Sequence, residues 1–237
     1  MTTHRLVREC VVCVPASQKS EYAAVGVNVL SHPDSVRGLT PKLNWLLEKF
    51  RTEETLVFLD DDLTGLCRCF LPPGSGDCTI RDPTLIEEVI RHTAQLARDV
   101  GAFYFGWEAS NGALRYYTGL KPIMLTGYVN GCAMGFRWGH GLRFDERIVA
   151  KNDFDIAALN AFRHRLCLKN CRYTFVQKAT FKARGGQAAW RTSLTEKADV
   201  ALLREKYGSE VFPAGGYSGT RKRDYAGVQK ITMHLPF

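Results

Sequence analysis

The stretch Leu56-Val57-Phe58-Leu59-Asp60-Asp61-Asp62, LVFLDDD, sets four apolar residues directly against three acids. A short apolar run closed by polar residues reads as a strand covered on both faces, with its polar end emerging at a sheet edge. Three like charges at that point repel one another. Either water screens them on an ordinary loop, or a cation sits among them.

Upstream of this strand, CVVCVP at 10–15 is an apolar run ended by proline, hence a buried strand followed by a loop. AAVGVNVLS offers a second short strand. A helix is expected to start at Thr40-Pro41, a capping residue followed by proline at the first helical position, with Leu43, Leu46, Leu47 and Phe50 on one stripe. Strand, strand, helix, strand is the opening of an α/β sheet, in which ligand sites lie at the carboxyl ends of strands. The acids stand at such an end.

Downstream, CRCFLPPGSGDCTI reads as a loop or hairpin, and a long helix is expected from Asp82-Pro83 to Gly101. AFYFGW is a further strand. The glycine-punctuated middle, LRYYTGLKPIMLTGYVNGCAMGFRW, predicts strands and hairpins over an active-site region. A helix after KNDFD to about Leu168, a strand at YTFVQKATFKA, a Gly-Gly loop and a helix from Thr195 to Tyr207 follow. The end of the chain, VQKITMHLPF, is a candidate last strand.

At 237 residues and 45% hydrophobic, the chain can bury a real core, and one domain is expected. No apolar run reaches membrane-spanning length, and Arg8 and Glu9 interrupt the N-terminus before any signal-peptide core forms, so a soluble cytoplasmic protein with no membrane partner is expected. Eight cysteines scattered through apolar stretches read as free buried thiols. Cys10 and Cys13 have C-x-x-C spacing, but residues three apart in a strand face opposite ways, and no second pair follows at zinc spacing.

The formal net charge is +8, from 32 basic and 24 acidic residues. Its distribution is uneven. Between Ile156 and Thr195 there is no Asp or Glu, while Arg163, Arg165, Lys169, Arg172, Lys178, Lys182, Arg184 and Arg191 supply an excess equal to that of the whole chain. Such a segment is either a solvated basic face or a surface that tracks phosphates.

Alternate carboxylates at a strand end, Asp60 and Asp62, can both face a divalent cation, which would bridge them to a diphosphate leaving group. The other reading is a solvated acidic turn. VPASQ at 14–18, GLTPKLNWLL at 38–47, VFLDDD at 57–62 and FDERIVAKNDFDIAAL at 144–159 together resemble, in order and spacing, the motifs of nucleotide-sugar glycosyltransferases of GT-A fold. The pattern KNDFD…YTFVQKATFKARGGQAAWRT…LLREKYGSEVF is similar to the TET-associated glycosyltransferases of bacteriophages, relatives of the base J glucosyltransferases.

This resemblance implies an α/β GT-A-like single domain, a Rossmann-like mixed sheet flanked by helices, with about 1–105 binding the nucleotide sugar and about 106–237 the acceptor. It implies a metal-dependent hexosyltransferase using Mn2+ or Mg2+ and a nucleotide-sugar donor, a UDP-sugar by preference. The implied acceptor is 5-hydroxymethylcytosine, or a related pyrimidine, flipped from double-stranded DNA in the bacterial host cytoplasm.

It also implies roles. Asp60 and Asp62 form the metal pair, with His234 as a third ligand, and Asp61 orients the donor's ribose or sugar. Ser17, Gln18 and Lys19 face the nucleobase; Lys42 and Asn44, at a helix start, contact the nucleotide or diphosphate. Asp153 is the first choice of base and Asp155 the second, although Asp153 can equally be the N-cap of the helix it precedes. The family's usual Glu-Asp is Asn152-Asp153 here. Gly185 and Gly186 permit close approach to a phosphate or sugar, with Arg184 and Arg191 as charge partners. Trp107, Tyr116, Tyr117, Trp138 and Trp190 are candidate stacking surfaces. The same residues leave open a protein, lipid or glycan acceptor, a nucleotidyltransferase, and a non-catalytic nucleic-acid-binding module.

Overall fold

The computed structural model describes residues 2–71, 75–108, 121–177, 190–213 and 231–235. Two sheets carry the fold. Strands β1 (Val12–Pro15) and β2 (Val29–His32) form a parallel pair, with the short helix α1 (Lys19–Ala23) between them. The larger mixed sheet runs in the order β3 (Thr55–Leu59), β8 (Ala133–Arg137), β6 (Tyr104–Glu108), β9 (Leu168–Gln177), β4 (Leu63–Arg68) and β5 (Thr79–Ile80), with β7 (Ile123–Met124) also paired to β9.

That order has a geometric consequence. From Leu59 to Leu63 the chain takes four steps, a reach of about 14 Å when fully extended. Four strand spacings in a flat sheet amount to about 19 Å. The sheet must therefore curl, and β9 is where it does so. Its first residues pair in parallel with β6, Phe105 opposite Leu168, whereas residues from Tyr173 onward pair antiparallel with β4, ending with Gln177 opposite Leu63. A register shift between Trp107 and Glu108 marks the bend. The curl brings the end of β3, the start of β4 and the end of β9 to one place, and Asp60, Asp61 and Asp62 occupy it.

Helices cover both faces of the larger sheet. Alternation along the fully buried β6 sends Phe105 and Trp107 towards α3 (Pro83–Asp99), where Ile86 and Ala97 meet them, and sends Tyr104 towards Leu43 and Leu47 of α2 (Leu39–Lys49) and Ile156 and Ala157 of α4 (Asn152–His164). Gly135 of β8 is required there, because any Cβ would run into the Phe105 ring. A third cluster, with Leu203 and Phe212 at its centre, packs α5 (Ser193–Tyr207) against α4. The molecule is thus a mixed α/β fold. Among the described residues no helix is long and apolar enough to cross a membrane.

Several expectations need correction. The LVFL strand has apolar neighbours on both faces, but it is an edge strand of the larger sheet and is only half-buried. Helix α2 begins earlier than Thr40-Pro41: Gly38 (φ 93°) is its N-cap, and the Thr40 hydroxyl donates to the Ile148 carbonyl at 2.8 Å. The helix after KNDFD stops at His164, where Arg165 takes a left-handed conformation, and the next strand starts at Leu168 rather than Tyr173. Cysteines are not uniformly free thiols, since the β4–β5 hairpin sets Cys67 beside Cys78, Cα atoms 5.4 Å apart, as a pair; the other six form no disulfide. Residues 231–235 dock without strand pairing, held by the His234 N–H on the Val211 carbonyl at 2.8 Å.

Candidate active site

The acidic turn is pinned from outside the motif. The N–H groups of Thr2 and Thr3 donate to the Asp61 carbonyl at 2.8 and 3.3 Å, and the Asp60 N–H donates to the Cys132 carbonyl at 2.9 Å. The Thr3 hydroxyl donates to the Asp60 carbonyl and accepts from the Leu63 N–H at 3.1 Å. With the backbone fixed, the side chains divide as alternation dictates: Asp61 is exposed, while Asp60 and Asp62 are half-buried and face the same way. Gln177 Nε2 donates to Asp60 Oδ2 at 2.8 Å and to Asp62 Oδ1 at 3.3 Å. A single amide nitrogen therefore spans the two carboxylates.

The electrostatics are those of crowded anions. Burial, followed by the charges of Asp62, Asp61 and Asp153, pushes the Asp60 carboxyl up to about 7, with Lys42 acting in the opposite direction. Burial also raises the Cys132 thiol, and Asp60, Asp153 and Asp62 raise it further. Asp153, remote in sequence, thus shares the field of the acidic turn.

Asp153 lies in the first turn of α4. The N-cap of that helix is Lys151, with no side-chain cap, so the N-cap reading of Asp153 does not hold. The Tyr128 hydroxyl donates to Asp153 Oδ2, and the Phe154 N–H donates to Oδ1 at 2.9 Å. Gly131 lies beside it; a Cβ there would stand 3.1 Å from the Asp153 Cβ. Burial raises the Asp153 carboxyl, while the bonds from Tyr128 and Phe154 and the charges of Lys151 and Arg191 pull it down.

Lys42 stands in the first turns of α2, and its charge reaches both Asp60 and Cys13. Ser17 meets a residue that its sequence context did not single out: its N–H and hydroxyl donate to Asp34 Oδ1 at 3.1 and 2.7 Å, joining the carboxyl ends of β1 and β2. These bonds, led by that of the hydroxyl, hold the exposed Asp34 carboxyl below its usual range. Gln18 and Lys19 lie beside Ser17, where the chain enters α1.

Other candidates are engaged elsewhere. Asn44 is buried, and its amide clamps the segment before α4, donating to the Phe144 carbonyl (3.0 Å) and Glu146 Oε1 (2.9 Å) and accepting from the Phe144 N–H (3.0 Å). The fully buried Asp155 accepts from Lys206 Nζ, from the Tyr207 hydroxyl at 2.7 Å and from the Asp145 N–H at 3.0 Å, which removes it as a base. Arg191 pairs with buried Glu196, which also pairs with Lys151 at 2.7 Å. His234 is exposed on a segment tied to Val211, and no described contact brings it to Asp60 or Asp62. Trp107 is core, whereas Trp138 and Trp190 are exposed. Gly185, Gly186, Arg184, Tyr116 and Tyr117 lie outside the described residues.

Among the described residues no group of three or more His, Cys, Asp or Glu side chains is arranged to hold a metal ion by itself. Two carboxylates aimed at one N–H donor, and short of positive charge, do fit a hard divalent cation that takes its remaining ligands from substrate phosphates and water. Comparisons of the chain with protein-family models, with curated proteins and with solved structures each returned no match.

Proposed function

We propose that the protein is a metal-dependent glycosyltransferase that moves a sugar from a nucleotide-sugar donor to 5-hydroxymethylcytosine, or a related hydroxymethylated pyrimidine, in DNA. The observation that carries this reading is the convergence of Asp60 and Asp62, spanned by Gln177, with Asp153 in the same electrostatic field. A divalent cation, when bound, neutralises charge developing on the diphosphate leaving group. Asp60 and Asp62 would hold it, and the charge of Lys42 acts on Asp60.

Asp153 takes the proton of the acceptor hydroxyl as that oxygen attacks the anomeric carbon, which is the role of a carboxylate in an inverting transfer. Each of its oxygens accepts one protein bond and keeps a second lone-pair direction. Lys151 and Arg191, both anchored on Glu196, favour its ionised form. Ser17 and Asp34 border the ends of β1 and β2, where a nucleobase is held in folds of this type.

Support for a DNA acceptor comes from the basic segment, of which Arg163, Arg165 and Arg172 are exposed. Two other members are half-buried in ion pairs: Lys169 pairs with Glu108 at 3.4 Å and Arg191 with Glu196. Those ion pairs favour a second reading, the same donor chemistry with a protein, lipid or glycan acceptor. Nucleoside mass spectrometry of hydroxymethylated DNA incubated with Mn2+ and a panel of nucleotide sugars tests the choice. A hexose-sized or acetamidohexose-sized increment supports the DNA acceptor. Donor hydrolysis without any increment supports the second reading.

A further inference from the structure

Tyr128 grips the start of α4 at two points. Its hydroxyl donates to Asp153 Oδ2, and its ring stacks on Phe154, the next residue, with centroids 4.6 Å apart and planes at 24°. The Phe154 N–H holds the other Asp153 oxygen at 2.9 Å. With both oxygens held and Gly131 walling one side, the carboxylate has little freedom to rotate about its own axis. The Tyr128 ring packs against the core cluster that holds Ile156 and Ala157, so the ring serves packing and the hydroxyl is the part of the side chain that reaches Asp153.

We propose that Tyr128 is a positioning residue that fixes the Asp153 carboxylate in the orientation from which it accepts the acceptor's proton. This rests on the reading of Asp153 as the base. The Tyr128 hydroxyl is the donor in this bond, and burial, followed by Asp153, raises that hydroxyl well above its usual value. The groups facing Asp153 are Tyr128 itself, Tyr104 from β6, Cys132 ahead of β8, Asp60 at the end of β3, Lys151 on its own turn and Arg191 ahead of α5. Of these, Tyr128 is the one that donates a side-chain hydrogen bond to the carboxylate among the described contacts. A bond to the ionised form favours ionisation, so its loss moves the titration of Asp153 to higher pH.

Tyr128→Phe keeps the ring on Phe154 and removes only the hydroxyl. The titration of Asp153 is followed in the 237-residue chain by NMR of 13Cγ-labelled aspartate, assigned with Asp153→Asn. The expected result is a curve displaced to higher pH in Tyr128→Phe, and coincident curves overturn the proposal. In parallel, release of uridine diphosphate is measured from UDP-glucose with Mn2+ and a duplex containing 5-hydroxymethylcytosine. There kcat is expected to fall about ten- to a hundredfold, with the donor KM unchanged and the acidic limb of the pH profile moved upward. An unchanged kcat and acidic limb with a displaced NMR titration also overturn it, since Tyr128 then perturbs a carboxylate that does no chemistry. Full activity in Asp153→Asn removes the base assignment itself, and that outcome is distinct from a failure confined to Tyr128.

Discussion

Replacing Asp60 by asparagine in the metal-free protein isolates the cost of crowding carboxylates at the end of β3. Burial and three neighbouring aspartates move the Asp60 carboxyl from 3.8 to about 7. At about 1.4 kcal/mol per unit, ionising Asp60 in the fold costs about 4 kcal/mol more than ionising it in the unfolded chain, an upper bound before local relaxation. The sign follows from the direction of the shift. The folded state binds the proton more tightly, so stability is fully present below about pH 4 and is lost as pH rises through about 7. The Asp60→Asn variant escapes that loss, and its side-chain carbonyl can still accept the bond from Gln177. Urea unfolding in EDTA is therefore expected to find Asp60→Asn more stable than wild type at pH 8 by up to about 4 kcal/mol, or roughly 8–16 °C in Tm, with the gap closing towards pH 4. Excess Mn2+ with uridine diphosphate narrows that gap, because only wild type gains binding free energy, about 2.7 kcal/mol at a hundred times Kd. Parallel pH profiles for the two proteins in EDTA would mean instead that Asp60 is well solvated and its neighbours screened.

Gln177→Glu puts another carboxylate beside Asp60 and Asp62. It is expected to lower metal-free stability at pH 8 and tighten Mn2+ binding, as read by melting curves and calorimetric titration. Asn44→Ala strands the Phe144 N–H and carbonyl in a buried setting and is expected to cost about 2–4 kcal/mol in urea unfolding, with the Kd for uridine diphosphate unchanged. Asp155→Asn breaks a buried pair with Lys206 and is expected to destabilise by about 3 kcal/mol while the pH profile of transfer keeps its shape.

The parts of this fold that were legible in sequence are those governed by local rules. Asp82-Pro83 starts α3 because an N-cap carboxylate and a proline both act within one turn, whereas α5 starts at Ser193, two residues before the expected Thr195, because Thr192 and Thr195 close a capping box at its head. The alternation in LVFLDDD is enough to put Asp60 and Asp62 on one side. What stayed hidden depends on the curl of the sheet. No spacing rule connects Gln177 to Asp60, because their meeting follows from the bend in β9 and not from either local stretch. Tyr128 reads in sequence as one more aromatic in a glycine-rich run, yet it holds Asp153. The reverse error has the same origin. Asn44 and Asp155 sit beside plausible motif positions, but tertiary packing engages both in buried bonds to Phe144, Lys206 and Tyr207.

The central claim is that Asp60 and Asp62 hold a divalent cation against the diphosphate of a sugar nucleotide. Manganese EPR tests it directly, by titrating Mn2+ into wild type and Asp62→Asn with and without uridine diphosphate. One bound Mn2+ per wild-type chain is expected, tightened by the nucleotide and lost in the variant. Equal binding by both proteins, or no bound Mn2+ in wild type with uridine diphosphate present, would contradict it.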